Sequence, residues 1–349
     1  MSAIDPSFGL RTAPFPPSEP LLGGRPGSSH VADALDYDAR NSVLRGLPPR
    51  TNEYPFESIK QMERVISRET EYFRQDKTGT RSQFVIVSHV PDEVVSPEIP
   101  PRTTNREADE EETIDPTSQR LTKRPSRICC DRYLGMLLFK LVTPAHEQAA
   151  RGFHGLFAIK LAQMNVANRL TEQNHHASPP SDTAIQEEEN PFRRKRPDIS
   201  YRPVALPPGP SSHSPNWPTL VVEVGYSTAQ RKLVSDMKYW LAHPSRVQLA
   251  IAIYIKKHMR EVIIQRWERV PRPTLAEPDR TAPAIVQQTT VAKGTRQTNV
   301  KVSNAPLVVP FRKVFLRNEA RVGEEDFIFT GDELANVVET VWIEQDLES

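Results

Sequence analysis

The strongest constraint on this chain is a carboxylate set inside a strand. Pro218-Thr219-Leu220-Val221-Val222-Glu223-Val224-Gly225 holds a short continuous apolar run, the pattern of a strand buried on both faces, and Glu223 interrupts it. An ionised glutamate in such a run costs on the order of several kcal/mol unless it is paired or binds a cation. Upstream, Arg196-Pro197-Asp198-Ile199-Ser200 sets a second carboxylate beside a β-type run, with the proline holding the residue before it extended. Two carboxylates from neighbouring strands make an all-oxygen site for a hard cation. Taken alone, the spacing favours a plainer arrangement: Glu223 salt-bridged to a nearby lysine, and Asp198 capping a turn.

The flanking segments extend this frame. Ser227 is placed to N-cap a helix whose apolar stripe is Leu233, Met237, Trp240 and Leu241, ended by His243-Pro244. Residues 247–255 and 261–267 predict two further strands. Residues 135–142 predict another, followed by Thr143 as cap and Pro144 at the first helical position. That helix carries its stripe on Ala149, Phe153, Leu156, Phe157, Leu161 and Met164. Glu147 in its first turn is explained by the helix dipole. His146, Glu147 and His154 lack the spacing of a zinc-protease helix.

The order strand with Asp, strand with Glu, helix with Lys232 and Lys238, strand, strand resembles the PD-(D/E)XK superfamily. Within it, the chain is most similar to fungal proteins carrying a restriction-endonuclease-like domain. The phrases that carry the likeness are Thr143-Pro144-Ala145-His146-Glu147, Arg196-Pro197-Asp198, Asn216 through Ser227, Asp236-Met237-Lys238-Tyr239-Trp240-Leu241 and Pro310-Phe311-Arg312, within residues 127–345. The resemblance implies an α/β fold with a restriction-endonuclease-like core. One central mixed sheet would be built from residues 135–142, 196–201, 219–225, 247–255 and 261–267, flanked by helices 145–168 and 228–242. It implies Mg2+-dependent hydrolysis of DNA phosphodiester bonds, with Mg2+ or Mn2+ held by Asp198 and Glu223 and with Glu147 as third carboxylate. The site would lie near the start of the helix that follows Ser227. The lysine expected two residues after Glu223 is absent, and Gly225 stands there. Lys238 is the first candidate to replace it and Lys232 the second. Two alternatives stay open: a catalytically inactive nucleic-acid-binding or transposon-associated protein, and an interaction module whose buried glutamate is structural.

The rest of the chain dilutes this core. Apolar residues make up 37% and there are 33 prolines, which points to a folded part interrupted by proline-rich segments. The expectation is a largely disordered or weakly structured region over 1–126 and a folded domain over 127–349. Flexible insertions are expected near 172–190, 202–216 and 272–300. Within the first part, 55–76 reads as a helix and 83–87 as a strand. Near the other end, Leu307-Val308-Val309 and Val314-Phe315-Leu316 offer an edge strand, and a closing helix starts at Gly331. Arg193, Arg194, Lys195 and Arg196 abut Asp198 and suggest a phosphate-contacting patch. The net charge of +1 gives no global field for nucleic acid. Trp217 and Tyr226 read as core rather than as base-stacking platforms. The adjacent Cys129 and Cys130 suit a reducing compartment. No run is apolar enough to span a membrane, so the expected location is intracellular, nucleus or cytoplasm. Oligomeric state is open.

Overall fold

Every strand of the predicted frame forms, but the strands divide between two sheets instead of one. The computed structural model describes residues 40–41, 43–95, 127–166, 170–172, 185–186, 193–204, 217–226, 229–242, 247–256, 259–294, 299–318 and 321–347. The first sheet has the order β1-β2-β4-β3-β7-β6: Asn52–Pro55, Phe84–Ser88, Met136–Lys140, Arg127–Asp131, Arg193–Lys195 and Ile185–Gln186. The second has the order β13-β12-β11-β10-β9-β8-β5: Val300–Ser303, Thr281–Lys293, Glu261–Pro271, Leu249–Ile255, Leu220–Tyr226, Ile199–Pro203 and Leu170–Glu172. A short antiparallel pair, β14 (Leu307–Val309) and β15 (Phe327–Phe329), stands apart. The helices are α1 (Ile59–Arg74), α2 (Asp92–Val95), α3 (Pro144–Gln163), α4 (Gln230–Trp240), α5 (Phe311–Phe315) and α6 (Gly331–Leu347).

Residues 196–198 carry the chain from the first sheet to the second, so the Pro-Asp phrase sits at their junction. β9 and β10 run parallel with α4 between them in sequence, the crossover that parallel pairing requires. Alternation divides β9: Leu220, Val222 and Val224 join the main core with α3 and α6, while Val221 joins a second core with Leu233, Met237 and Trp240 of α4. Glu223 shares the parity of Val221 and therefore points to the α4 side. α3 begins as expected, with Thr143 accepting from the His146 N–H and Pro144 in the first turn. It packs closely on α6: a Cβ at Gly152 would lie 2.5 Å from Val337 Cγ1. Trp217 and Tyr226 are core residues, and the closing helix starts at Gly331.

Several expectations are corrected. β4 belongs to the other sheet, because its register runs with β2 and β3. Ordered structure does not wait for Arg127: β1 and β2 are strands of the first sheet, and α1 buries Met62, Val65, Ile66 and Phe73. The segment 272–300 holds β12, a 13-residue strand paired along its length with β11. Its Thr, Gln and Pro residues masked the pattern, although most of the strand is half-buried and Thr289 fully so. α4 has Ala229 as its N-cap with no side-chain cap bond, and Leu241 as its C-cap. Ser227 and His243-Pro244 lie outside the described residues, as do residues 1–39, 96–126, 173–184, 187–192 and 205–216. The run at 314–316 ends a helical turn rather than forming a strand. Among the described residues, no helix is long and apolar enough to cross a membrane.

Candidate functional site

The two acidic phrases do converge, and a lysine from the other sheet lies between them. β4 ends at Lys140, whose ammonium donates to Asp198 Oδ2 at 2.7 Å and to Glu223 Oε2 at 2.9 Å. Both carboxylates meet one nitrogen, so they lie far inside the roughly 10 Å that a shared metal site could span. Asp198 is 1% exposed and Glu223 2%. Asp198 is tied to a distant strand. Its Oδ2 accepts from the Val224 N–H at 2.6 Å, pinning the inter-sheet link to β9. Glu223 Oε1 accepts from Trp240 Nε1–H at 2.9 Å, at the C-terminal end of α4.

The cluster continues along α4. Lys195 Nζ lies 3.7 Å from Glu223 Oε1 and 2.7 Å from Asp236 Oδ1, and Lys232 pairs with the same Asp236 oxygen at 2.5 Å. Lys232, Asp236 and Trp240 recur every four residues, one stripe of the helix. The sequence of charges is Asp198, Lys140, Glu223, Lys195, Asp236, Lys232, with acids and lysines matched one to one. Lys195 also lies over the rings of Trp240, 4.8 Å from the centroid, and Tyr239, at 5.0 Å. His146 reaches the same place from α3. Its Nε2 is 3.1 Å from the Val224 carbonyl and 3.3 Å from Asp198 Oδ2. Both neighbours are acceptors, which assigns the proton to Nε2.

Burial and pairing compete at each lysine. Burial draws the Lys140 pKa down, but Asp198 and Glu223 outweigh it and hold the ammonium above the ordinary lysine value. For Lys232 burial is likewise outweighed, by Asp236 and by the negative charge that Cys129 carries when ionised. For Lys195 burial wins over Asp236 and Glu223, and its pKa falls, which makes it the first lysine of the cluster to lose its proton. Asp236 is pushed up by burial and pulled further down by Lys195 and Lys232, so its carboxyl lies below the usual range. Its charge, after burial, raises the Tyr254 phenol to about 12.

The expected site residues therefore separate. Asp198 and Glu223 meet. Lys232 joins the cluster through Asp236, whereas Lys238 is exposed on the other side of α4. Glu147 forms its ion pair along its own helix with Arg151 at 3.6 Å, and it is His146, one residue earlier, that reaches Asp198. The cluster lies along the face of α4 as far as Trp240, not only at its start. Of the basic run, Lys195 is turned inward and buried because strand alternation points it at α4. Arg196 is half-buried, and the side chains of Arg193 and Arg194 lie outside what is described. At Gly225, a Cβ would already touch Leu233 at 3.4 Å and Gln83 at 3.7 Å, so a lysine there would have to pass both. Sequence reasoning missed Lys140, although the signal was the one that singled out Glu223: a charge inside an apolar strand run, Met136-Leu137-Leu138-Phe139-Lys140-Leu141.

Divalent-cation binding can be tested against this geometry. The donor type suits Mg2+, which takes carboxylate oxygens. The arrangement does not: one oxygen of each acid already faces the Lys140 ammonium, and Asp236 is held by two lysines. Among the described residues, no group of three or more His, Cys, Asp or Glu is arranged to hold a metal ion. No protein-family model matches the chain, and no curated protein matches it.

Proposed function

We propose that this chain is a non-catalytic interaction protein built on a restriction-endonuclease-like core, in which the acidic pair serves as an ionic lock between the two sheets. The observation that carries this is the Lys140 ammonium on both Asp198 and Glu223. It meets, from inside the protein, the charge requirement that would otherwise draw in a metal. A cation entering here must displace a buried lysine and leave that charge unpaired, a cost of several kcal/mol by the usual accounting, on the order of 3–5. The lock ties β4 of the first sheet to the inter-sheet link and β9 of the second, with α4 fastened through Trp240 and Asp236.

A second reading rests on a specific observation. The residue type missing two positions after Glu223 is supplied from elsewhere: Lys140 brings a lysine to the two acids. This favours a Mg2+-dependent nuclease acting on DNA, with Asp198 and Glu223 as the metal-holding residues. The group, when bound, would stabilise charge on a phosphodiester and activate water. One experiment separates the readings. The purified chain is assayed for cleavage of single- and double-stranded DNA with Mg2+ or Mn2+, and its melting curve is recorded with and without each ion. The lock predicts no cleavage and no shift. Cleavage abolished by Glu223→Gln would instead establish the nuclease.

A further inference from the structure

We infer that the segment around Gly46, residues 40–41 and 43–50, forms a removable strap that keeps the ionic cluster dry. The inference rests on reading the cluster as a closed acid–lysine site. It begins from which face of the first sheet the strap covers. Val43, Leu44 and Leu47 pack on Phe84, Ile86, Met136, Leu138 and Ala229. The register sets Phe84 opposite Lys140, Leu138 opposite Cys129, and Cys129 opposite Lys195. Residues directly opposite one another project from the same face. The apolar seat of the strap and the lysines of the cluster are therefore neighbours on one surface, shared with the first turn of α4.

The strap lies directly on that turn. Gly46 has φ +81°, and a Cβ there would fall 2.5 Å from the Arg231 carbonyl oxygen and 3.0 Å from Lys232 Cα. Only glycine takes this backbone conformation at this distance without strain. The strap thus closes over the backbone of a cluster residue. Its own attachment is light. Beyond the apolar seat, Arg40 donates to the Met136 sulfur at 4.0 Å and pairs with Glu53 at 2.6 Å, the two charged side chains 42% and 34% exposed, a contact that solvent screens. Among its described residues only Val43 is buried, the rest being half-buried or exposed, and such a segment is the kind that opens without global unfolding. With the strap lifted, water reaches Lys232, Lys195 and Lys140, and the carboxylates can exchange a lysine for a solvent cation.

Cys129 is a built-in reporter. It is half-buried on the covered face, beside Lys195, whereas Cys130 alternates to the opposite face and enters the main core. In the full-length chain carrying Cys130→Ala, the rate of Cys129 modification by a thiol reagent is measured under native conditions. It is compared with the same chain carrying Gly46→Val, which cannot seat the strap, or Leu47→Asp, which weakens the apolar seat shared with Ala229, the N-cap of α4. Both variants should melt cooperatively and label about tenfold faster or more, the signature of local opening. Unchanged labelling in both variants overturns the strap. So does loss of cooperative melting in both, since the segment would then be part of the fold and not a cover. The Mg2+ arm keeps the two inferences apart. If labelling accelerates while Mg2+ shifts no melting curve, the strap stands and the nuclease reading falls. If Mg2+ raises the melting temperature only in the opened variants, the strap stands and its release is what exposes the acids.

Discussion

β9 and β10 lie side by side, each seven residues long and buried at every position, yet they are held in place by different forces. β10 reads Leu-Ala-Ile-Ala-Ile-Tyr-Ile and is stabilised by apolar packing on both faces. β9 carries Glu223 at its centre, directly opposite Ala252, whose small side chain leaves the carboxylate room. The stability of β10 is spread over many interchangeable contacts. That of β9 depends on one charge being met by groups from β4, β7 and α4. Equal burial therefore conceals unequal vulnerability: a sheet centre tolerates trimming where it is apolar and fails where a matched charge is unmatched.

The largest effect that would sharpen this comparison is at Lys140. Lys140→Ala leaves two buried carboxylates facing each other and should cost about 5 kcal/mol, the upper end for breaking a buried pair. The same variant should show stabilisation by Mg2+ that grows with ion concentration and exceeds any in the native chain. Urea unfolding with and without Mg2+ measures both, and a variant indifferent to the ion would remove the case for a latent cation site. Next is Glu223→Gln, which deprives Lys140 and Lys195 of a partner while keeping an acceptor for Trp240. A loss of about 3 kcal/mol is expected. A more stable mutant would show that the native carboxylates repel each other and that the lock is misconceived. Ile251→Val in β10 should cost only about 1 kcal/mol. A loss there as large as at Glu223 would break the contrast between the strands.

Smaller effects follow. Folded Asp236 holds its charge below the ordinary aspartate range, because Lys195 and Lys232 outweigh the burial that opposes it. As pH falls, the unfolded chain takes up this proton before the folded one, so the stabilisation is present above the ordinary aspartate pKa and is lost on acidification. Asp236→Asn should lower stability at neutral pH, and the gap to wild type should narrow through the acid limb, as read from unfolding curves across pH. Lys238 is exposed on α4, and Lys238→Ala should change stability by less than about 0.5 kcal/mol and leave any metal response untouched.

Much of the frame was legible because its signals are local. The apolar runs of β9 and β10, the stripe of α4 and the Thr143-Pro144 start of α3 each rest on neighbours within a few residues. β12 escaped for the opposite reason. Its Thr, Gln and Pro residues carry no strand alternation, and it is a strand because β11 offers it a ladder. The convergence of Asp198 and Glu223 was expected from the order of the motif phrases. What fills the space between them was not.

The sequence by itself determined that Glu223 is a charge in an apolar strand and so must be compensated, since desolvation cost depends on the residue and its run alone. Which group compensates it was decided by tertiary structure. Lys140 stands 83 residues earlier, on a strand of the other sheet, and comes within 2.9 Å where residues 196–198 pass from β7 of one sheet to β8 of the other. Lys238, two residues from Asp236 and the same residue type as Lys232, is directed to solvent by the helical turn that directs Lys232 and Asp236 inward. Charge and hydrophobicity are written residue by residue, but partnership depends on register, sheet order and the side of a helix, which arise only when distant segments pack.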